Sequence, residues 1–134
     1  MKIIDDALLA IIRRLPCCEF CNRPLRTGFE ACHVLSRGRR SEQRLDVPFG
    51  VGAGCPVFSG NGCHRRSHDT GEGVEAFIAN IAKRCKITPE TLMDALKFLK
   101  WVPRKPLAGI VSKRFAELEP ETQKLVKPYV EEML

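Results

Sequence analysis

Between Cys17 and His68 this chain gathers all three of its histidines and six of its seven cysteines. The run opens with Cys17-Cys18-Glu19-Phe20-Cys21, passes through Glu30-Ala31-Cys32-His33 and closes with Cys63-His64-Arg65-Arg66-Ser67-His68. Thiols and imidazoles concentrated in this way constrain folding more than any other feature, because metal coordination is the economical reading. The odd number of cysteines and their spacing suit metal better than a disulfide framework.

A chain of 134 residues has room for one modest core. Its net charge of +6 favours a polyanionic partner, nucleic acid first. No apolar run reaches the ~20 residues of a membrane span, so no membrane partner is expected. The segment from Met1 to Leu15 is interrupted by Asp5, Asp6, Arg13 and Arg14 and has no small-residue cleavage site, so it reads as an amphipathic helix in a cytoplasmic protein.

The periodicity divides the chain into an N-terminal helix (1–16), a ligand-bearing core (17–72) and a helical extension (73–134). Cys18-Glu19-Phe20-Cys21 reads as a tight turn carrying two thiolates. Residues 29–35 alternate as a strand. The glycines at 50, 52 and 54 predict irregular backbone as far as Cys55. A helix is expected from Cys63 through His68, broken near Gly71 and Gly73. Further helices are expected over 74–85, from Thr88 as cap with Pro89 at the first turn, over 107–118, and from Glu119-Pro120 onward with Pro128 as a kink or break.

Two kinds of site emerge. Cys18 and Cys21 offer one pair of thiolates and Cys55 and Cys63 a second, together a four-thiolate structural Zn2+ site. Cys17 competes with Cys18, which has the usual spacing to Cys21. The bland alternative is a set of reduced, buried cysteines. The second site is hydrolytic. His64 and His68 stand at i and i+4, where one helix face presents both to a single divalent cation. His33 is suited to taking a proton from water near neutral pH. Against this, His64 could complete a three-cysteine, one-histidine zinc site, or the histidines could be surface residues.

Taken together, Cys18-x2-Cys21, Glu30-Ala31-Cys32-His33-Val34-Leu35-Ser36-Arg37-Gly38-Arg39 and Cys55…Cys63-His64-x3-His68 resemble the HNH endonucleases, the ββα-metal or His-Me finger family, in a zinc-stabilised form like those of phages and prophages. The resemblance spans roughly Cys17 to Gly71. It implies an α+β, mostly helical protein with a small ββα-metal core. It places His33 as the general base, and His64 and His68 as ligands of a catalytic divalent metal (Mg2+, Mn2+, Ni2+ or Zn2+). Cys32 precedes the base where many members carry a His or Asp ligand. The motif's Asn, expected near Gly50 and Gly52, is not there; Asp46 and Asn61 are the residues nearby that could take its place.

Arg37, Arg39, Arg40 and Arg44 lie between base and helix, and Arg65 and Arg66 lie on the helix itself; forked guanidinium groups suit phosphate. Lys97, Lys100, Arg104 and Lys105 with Trp101 form a second basic stretch, better read as an amphipathic helix whose Trp is core. The sequence therefore predicts a metal-dependent DNA endonuclease. Its alternative is a non-catalytic zinc module binding nucleic acid or protein on the same scaffold. A redox switch through Cys17, Cys32 or Cys85 has only cysteine number behind it. The apolar terminal helices would suit a homodimer.

Overall fold

Asp5 fixes where the first helix begins. Its Oδ1 accepts the Leu8 amide at 3.0 Å, so α1 runs Asp6–Arg13. The expected helix from Met1 is thereby shortened. Ile3 instead forms a parallel bridge with Leu45, donating to Arg44 O at 2.8 Å and accepting from the Asp46 amide at 3.0 Å. The computed structural model describes residues 1–134, the side chain of Arg39 excepted.

The remaining order is β1 (Glu30–His33), β2 (Val51–Gly54), α2 (Cys63–Thr70), α3 (Val74–Cys85), α4 (Pro89–Trp101), α5 (Ile110–Ala116) and α6 (Pro120–Val130). The protein is thus helix-rich with one two-stranded antiparallel sheet. Glu30 pairs with Gly54, Ala31 with Ala53, Cys32 with Gly52 and His33 with Val51. β1 is shorter than the 29–35 expected, and α5 is shorter than 107–118. Pro128 lies inside α6 without ending it.

β2 corrects the expectation of irregular backbone before Cys55. Its glycines serve close packing, not a turn. A Cβ on Gly52 would sit 2.7 Å from Ile81 Cδ1 and also meet the Phe77 ring, and one on Gly54 would sit 2.6 Å from Cys32 Sγ. The hydrogen lets α3 and the Cys32 thiol lie flush on the strand.

The outward edge of β2 is covered from within the chain. Glu19 donates its amide to Ala53 O at 2.8 Å, and its Oε1 accepts the Ala53 amide at 3.1 Å. Arg84, from α3, pairs with the Glu19 carboxylate at 3.0 and 3.1 Å and donates to Val51 O at 2.8 Å. Asn80 donates to Glu19 O at 2.7 Å. The Cys18–Cys21 turn is thereby tied to strand and helix at once.

One hydrophobic cluster draws on all three sequence segments. Ile12 comes from α1, Val47, Val51 and Ala53 from the middle, and Ile81, Leu92, Leu96, Leu99, Val111 and Val126 from the extension. Each such Leu or Ile taken out of water contributes about 1.5–3 kcal/mol. Phe20 stacks on Phe77 with ring centroids 4.0 Å apart, which fixes the turn against α3. Thr88 caps α4 by accepting the Thr91 amide at 3.1 Å, with Pro89 in the first turn. Among the described residues, no helix is long and apolar enough to cross a membrane.

Candidate functional site

The tight turn at 18–21, the residue that follows β2 and the start of α2 bring four thiols together. The Sγ atoms of Cys18, Cys21, Cys55 and Cys63 all lie within 4.8 Å of one another, and Cys21 and Cys55 are 3.5 Å apart. A tetrahedral ion with metal–sulfur bonds of ~2.3 Å needs thiolates about 3.8 Å apart, so this donor set fits a metal ion. Cys18, Cys55 and Cys63 are buried, and Cys21 is exposed. Asn61 donates to Cys21 Sγ at 3.5 Å, which places it at the thiol cluster rather than beside His33. Hydrogen bonds from the Arg23 amide, Cys55, Asn61 and Cys18 outweigh the upward effect of burial on Cys21 and bring its pKa down to about 7. Burial raises the other two affected thiols, Cys55 to about 11 and Cys63 further. Cys17 is half-buried and stands outside the cluster.

The histidines face a different space. A cavity of about 430 Å³ is lined by Cys32, His33, Arg37, His64, Ser67 and His68, with Phe20 and Phe77 among its apolar walls. β1 supplies His33, whose side chain is only 9% exposed, and α2 supplies the other two. The i, i+4 spacing holds the His64 and His68 rings 4.8 Å apart. Glu30 Oε1 lies 3.4 Å from His64 Nδ1. Burial first, then the charge of His68, lowers the His64 pKa, with Glu30 pulling the other way.

His33 is held by a buried carboxylate. Its Nε2 lies 2.7 Å from Asp46 Oδ1, and the Asp46 side chain has no exposure to solvent. Arg44 Nε donates to both Asp46 oxygens at 2.9 Å, and Arg44 Nη2 lies 2.6 Å from Oδ2. The Asp5 amide donates to Oδ2 at 2.9 Å. Burial opposes ionisation of Asp46, but these donors outweigh it and bring the pKa to about 2. An ionised carboxylate only accepts, so His33 carries its proton on Nε2 and keeps Nδ1 as a lone pair. Burial lowers the His33 pKa below the usual imidazole range, against the pull of Asp46.

The other nominated residues divide. Cys32 is buried and lines the cavity, and burial with the Glu30 charge pushes its pKa well up, which keeps the thiol protonated. Cys32, His64 and His68 do not form a second metal-ligating group; among the described residues the four-cysteine group stands alone. Arg37 lines the cavity, and Arg40 is exposed. The side chain of Arg39 lies outside the described residues. Arg44 is taken up by Asp46 and by Asp6 at 3.2 Å, so it shapes the site from inside. Arg65 is 74% exposed, 3.7 Å from Asp69. Arg66 donates to Asn61 O at 2.7 Å and lies 3.8 Å from Glu72. Trp101 is half-buried and packs on Phe98, with the Arg114 guanidinium 4.3 Å from its ring centroid.

Sequence reasoning missed Glu19 and Arg84, which stand 65 positions apart and show no joint signal in one sequence. It named Asp46 only as a substitute for a missing Asn. Comparison with protein-family models, with curated proteins and with solved structures finds no match for this chain.

Proposed function

We propose that this chain is a metal-dependent DNA endonuclease of the HNH type that hydrolyses phosphodiester bonds. The observation that carries the reading is the contact at 2.7 Å between the buried Asp46 and His33, which lines a cavity together with His64 and His68. Cys18, Cys21, Cys55 and Cys63 hold a structural Zn2+ that locks the turn to the start of α2. His64 and His68 would hold a catalytic divalent metal, which would polarise the phosphate and stabilise the leaving oxygen.

The chain's own groups do the rest. His33 Nδ1 takes a proton from water as that water attacks phosphorus. Asp46 stabilises the imidazolium that results, and Arg44 keeps Asp46 ionised. Arg37, at the cavity wall, meets the phosphate, and Arg40, Arg65 and Arg66 extend the basic face outward.

A second reading is a non-catalytic zinc module that binds nucleic acid or protein on the same scaffold. It is favoured by the lack, among the described residues, of a second ligating group of three. One experiment separates the two. Supercoiled plasmid is incubated with the protein and Mg2+, Mn2+ or Ni2+, beside the His33→Ala variant. Nicking by wild type alone supports the nuclease. Binding without nicking favours the module, and equal nicking by both removes His33 from the mechanism.

A further inference from the structure

The helical extension carries the whole of the chain's positive excess. Residues 95–116 hold Lys97, Lys100, Arg104, Lys105, Lys113 and Arg114 and no acidic residue, while the rest of the chain has 16 cationic and 16 acidic side chains. The charge that favours a polyanionic partner therefore sits on the end of α4, on α5 and on the turn between them. None of the residues lining the cavity belongs to this segment.

Packing gathers these cations. Phe98 of α4 and Phe115 of α5 have ring centroids 6.4 Å apart, which brings α5 against the end of α4. The Arg114 guanidinium then lies 4.3 Å from the centroid of the half-buried Trp101 ring, which holds it in place. Lys97 precedes Trp101 by four residues on the same face of α4, and Lys100 stands beside them. All six cations are exposed. Asp94 and Glu117 bound the segment, yet among the described residues none of the six cations is ion-paired. On α2, by contrast, Arg65 faces Asp69 at 3.7 Å and Arg66 faces Glu72 at 3.8 Å.

Six long cationic side chains spread over two helices and a turn suit a repeating charge better than a single small anion. A membrane anchor would need a free apolar helix face, whereas Val111 of α5 is buried in the core. We propose that the α4–α5 unit is a second nucleic-acid contact, a sequence-independent clamp on the phosphate backbone of duplex DNA outside the cavity. Lys97, Lys100 and Arg114 meet phosphates, and the other three cations extend the track. The inference rests on the nucleic-acid reading above and adds to it where the salt-dependent part of the affinity resides.

Its test is the salt dependence of binding. Anisotropy of a fluorescein-labelled duplex is followed from about 50 to about 200 mM salt, with no divalent cation. Arg104 shares a groove with Lys2 and Glu42, so the variant is made on α4, as Lys97→Gln with Lys100→Gln. Its control removes the same charge from exposed positions of α6, as Lys124→Gln with Lys127→Gln. The slope of log affinity against log salt is expected to fall by about 1.8 in the α4 variant and to stay at the wild-type value in the control, both keeping the wild-type urea midpoint. A wild-type slope in the α4 variant overturns the clamp and leaves the nucleic-acid reading intact. Equal changes in the two variants also overturn it, since net charge alone then accounts for the loss. Leu107 and Ile110 expose apolar surface in the same segment, so phosphatidylserine vesicles are run beside the duplex. A wild type that binds no duplex, with or without vesicle binding, overturns this inference and the nucleic-acid reading together.

Discussion

Asp46 Oδ1 accepts the His33 Nε2–H at 2.7 Å while Arg44 grips both oxygens of the same carboxylate. The order of the three side chains matters. The arginine holds the carboxylate ionised, the carboxylate selects the imidazole tautomer, and the tautomer leaves Nδ1 with its lone pair. Asp46→Asn keeps the shape of this arrangement but lets an amide replace the charge. Nicking is expected to fall at least about 100-fold, with metal-free DNA binding retained. Undiminished nicking by Asp46→Asn would remove the carboxylate from the mechanism.

The same carboxylate predicts how stability responds to acid. Its pKa is depressed from 3.8 to about 2, so the folded state favours its ionised form. The resulting stabilisation, about 2 kcal/mol, is fully present above pH ~4 and is lost as pH falls through about 2. In urea titrations, the stability gap between wild type and Asp46→Asn is expected to narrow over that acid range. A gap that stays constant down to pH ~2 would show that the charge contributes nothing.

The four-thiol cluster predicts the metal content. Protein purified without chelators is expected to carry about one zinc per chain, and Cys55→Ala or Cys63→Ala well under half of that. Chelation is expected to abolish the cooperative unfolding transition, because the turn and α2 then lose their joint anchor. Metal-free protein with an unchanged transition would refute the structural role.

The close approach at β2 predicts a steric penalty. Gly54→Ala drives a methyl into Cys32 Sγ, and Gly52→Ala drives one into Ile81 and Phe77. Each is expected to cost about 1–3 kcal/mol in urea unfolding. The nearby Gly71→Ala, whose Cβ meets no other atom within 4 Å, isolates the backbone cost of a left-handed residue from the packing cost.

These glycines also mark where the sequence could and could not be read. Val74–Cys85 and the Thr88-Pro89 start of α4 were legible because a 3.6-residue period and a capping threonine are local signals. The four thiols were legible because soft ligands have few other uses at that density. β2 was not, since Gly52 and Gly54 carry turn chemistry in the sequence and reveal their purpose only once α3 and Cys32 lie against them. In the sequence Arg44 looks like one phosphate ligand among several, and only the folded chain shows Asp46 and Asp6 taking up its guanidinium. Asn61, by sequence position a candidate partner for the base, is bonded to Cys21.

Removing one half of the Glu19–Arg84 pair tests the cover over β2. Arg84→Met leaves the buried Glu19 carboxylate without its cation and is expected to cost roughly 3 kcal/mol in urea unfolding. Glu19→Leu with Arg84→Met restores part of that loss by removing the stranded charge as well. A single Arg84→Met variant as stable as wild type would show the pair to be inert.

That pair has a bearing beyond free energy. The backbone groups of Val51 and Ala53 that it occupies are those a strand from another molecule would otherwise zip onto. Without the ion pair those groups are open to pairing with another chain. Loss of Glu19 would thus surface first in aggregation during expression and refolding, ahead of any change in a melting curve.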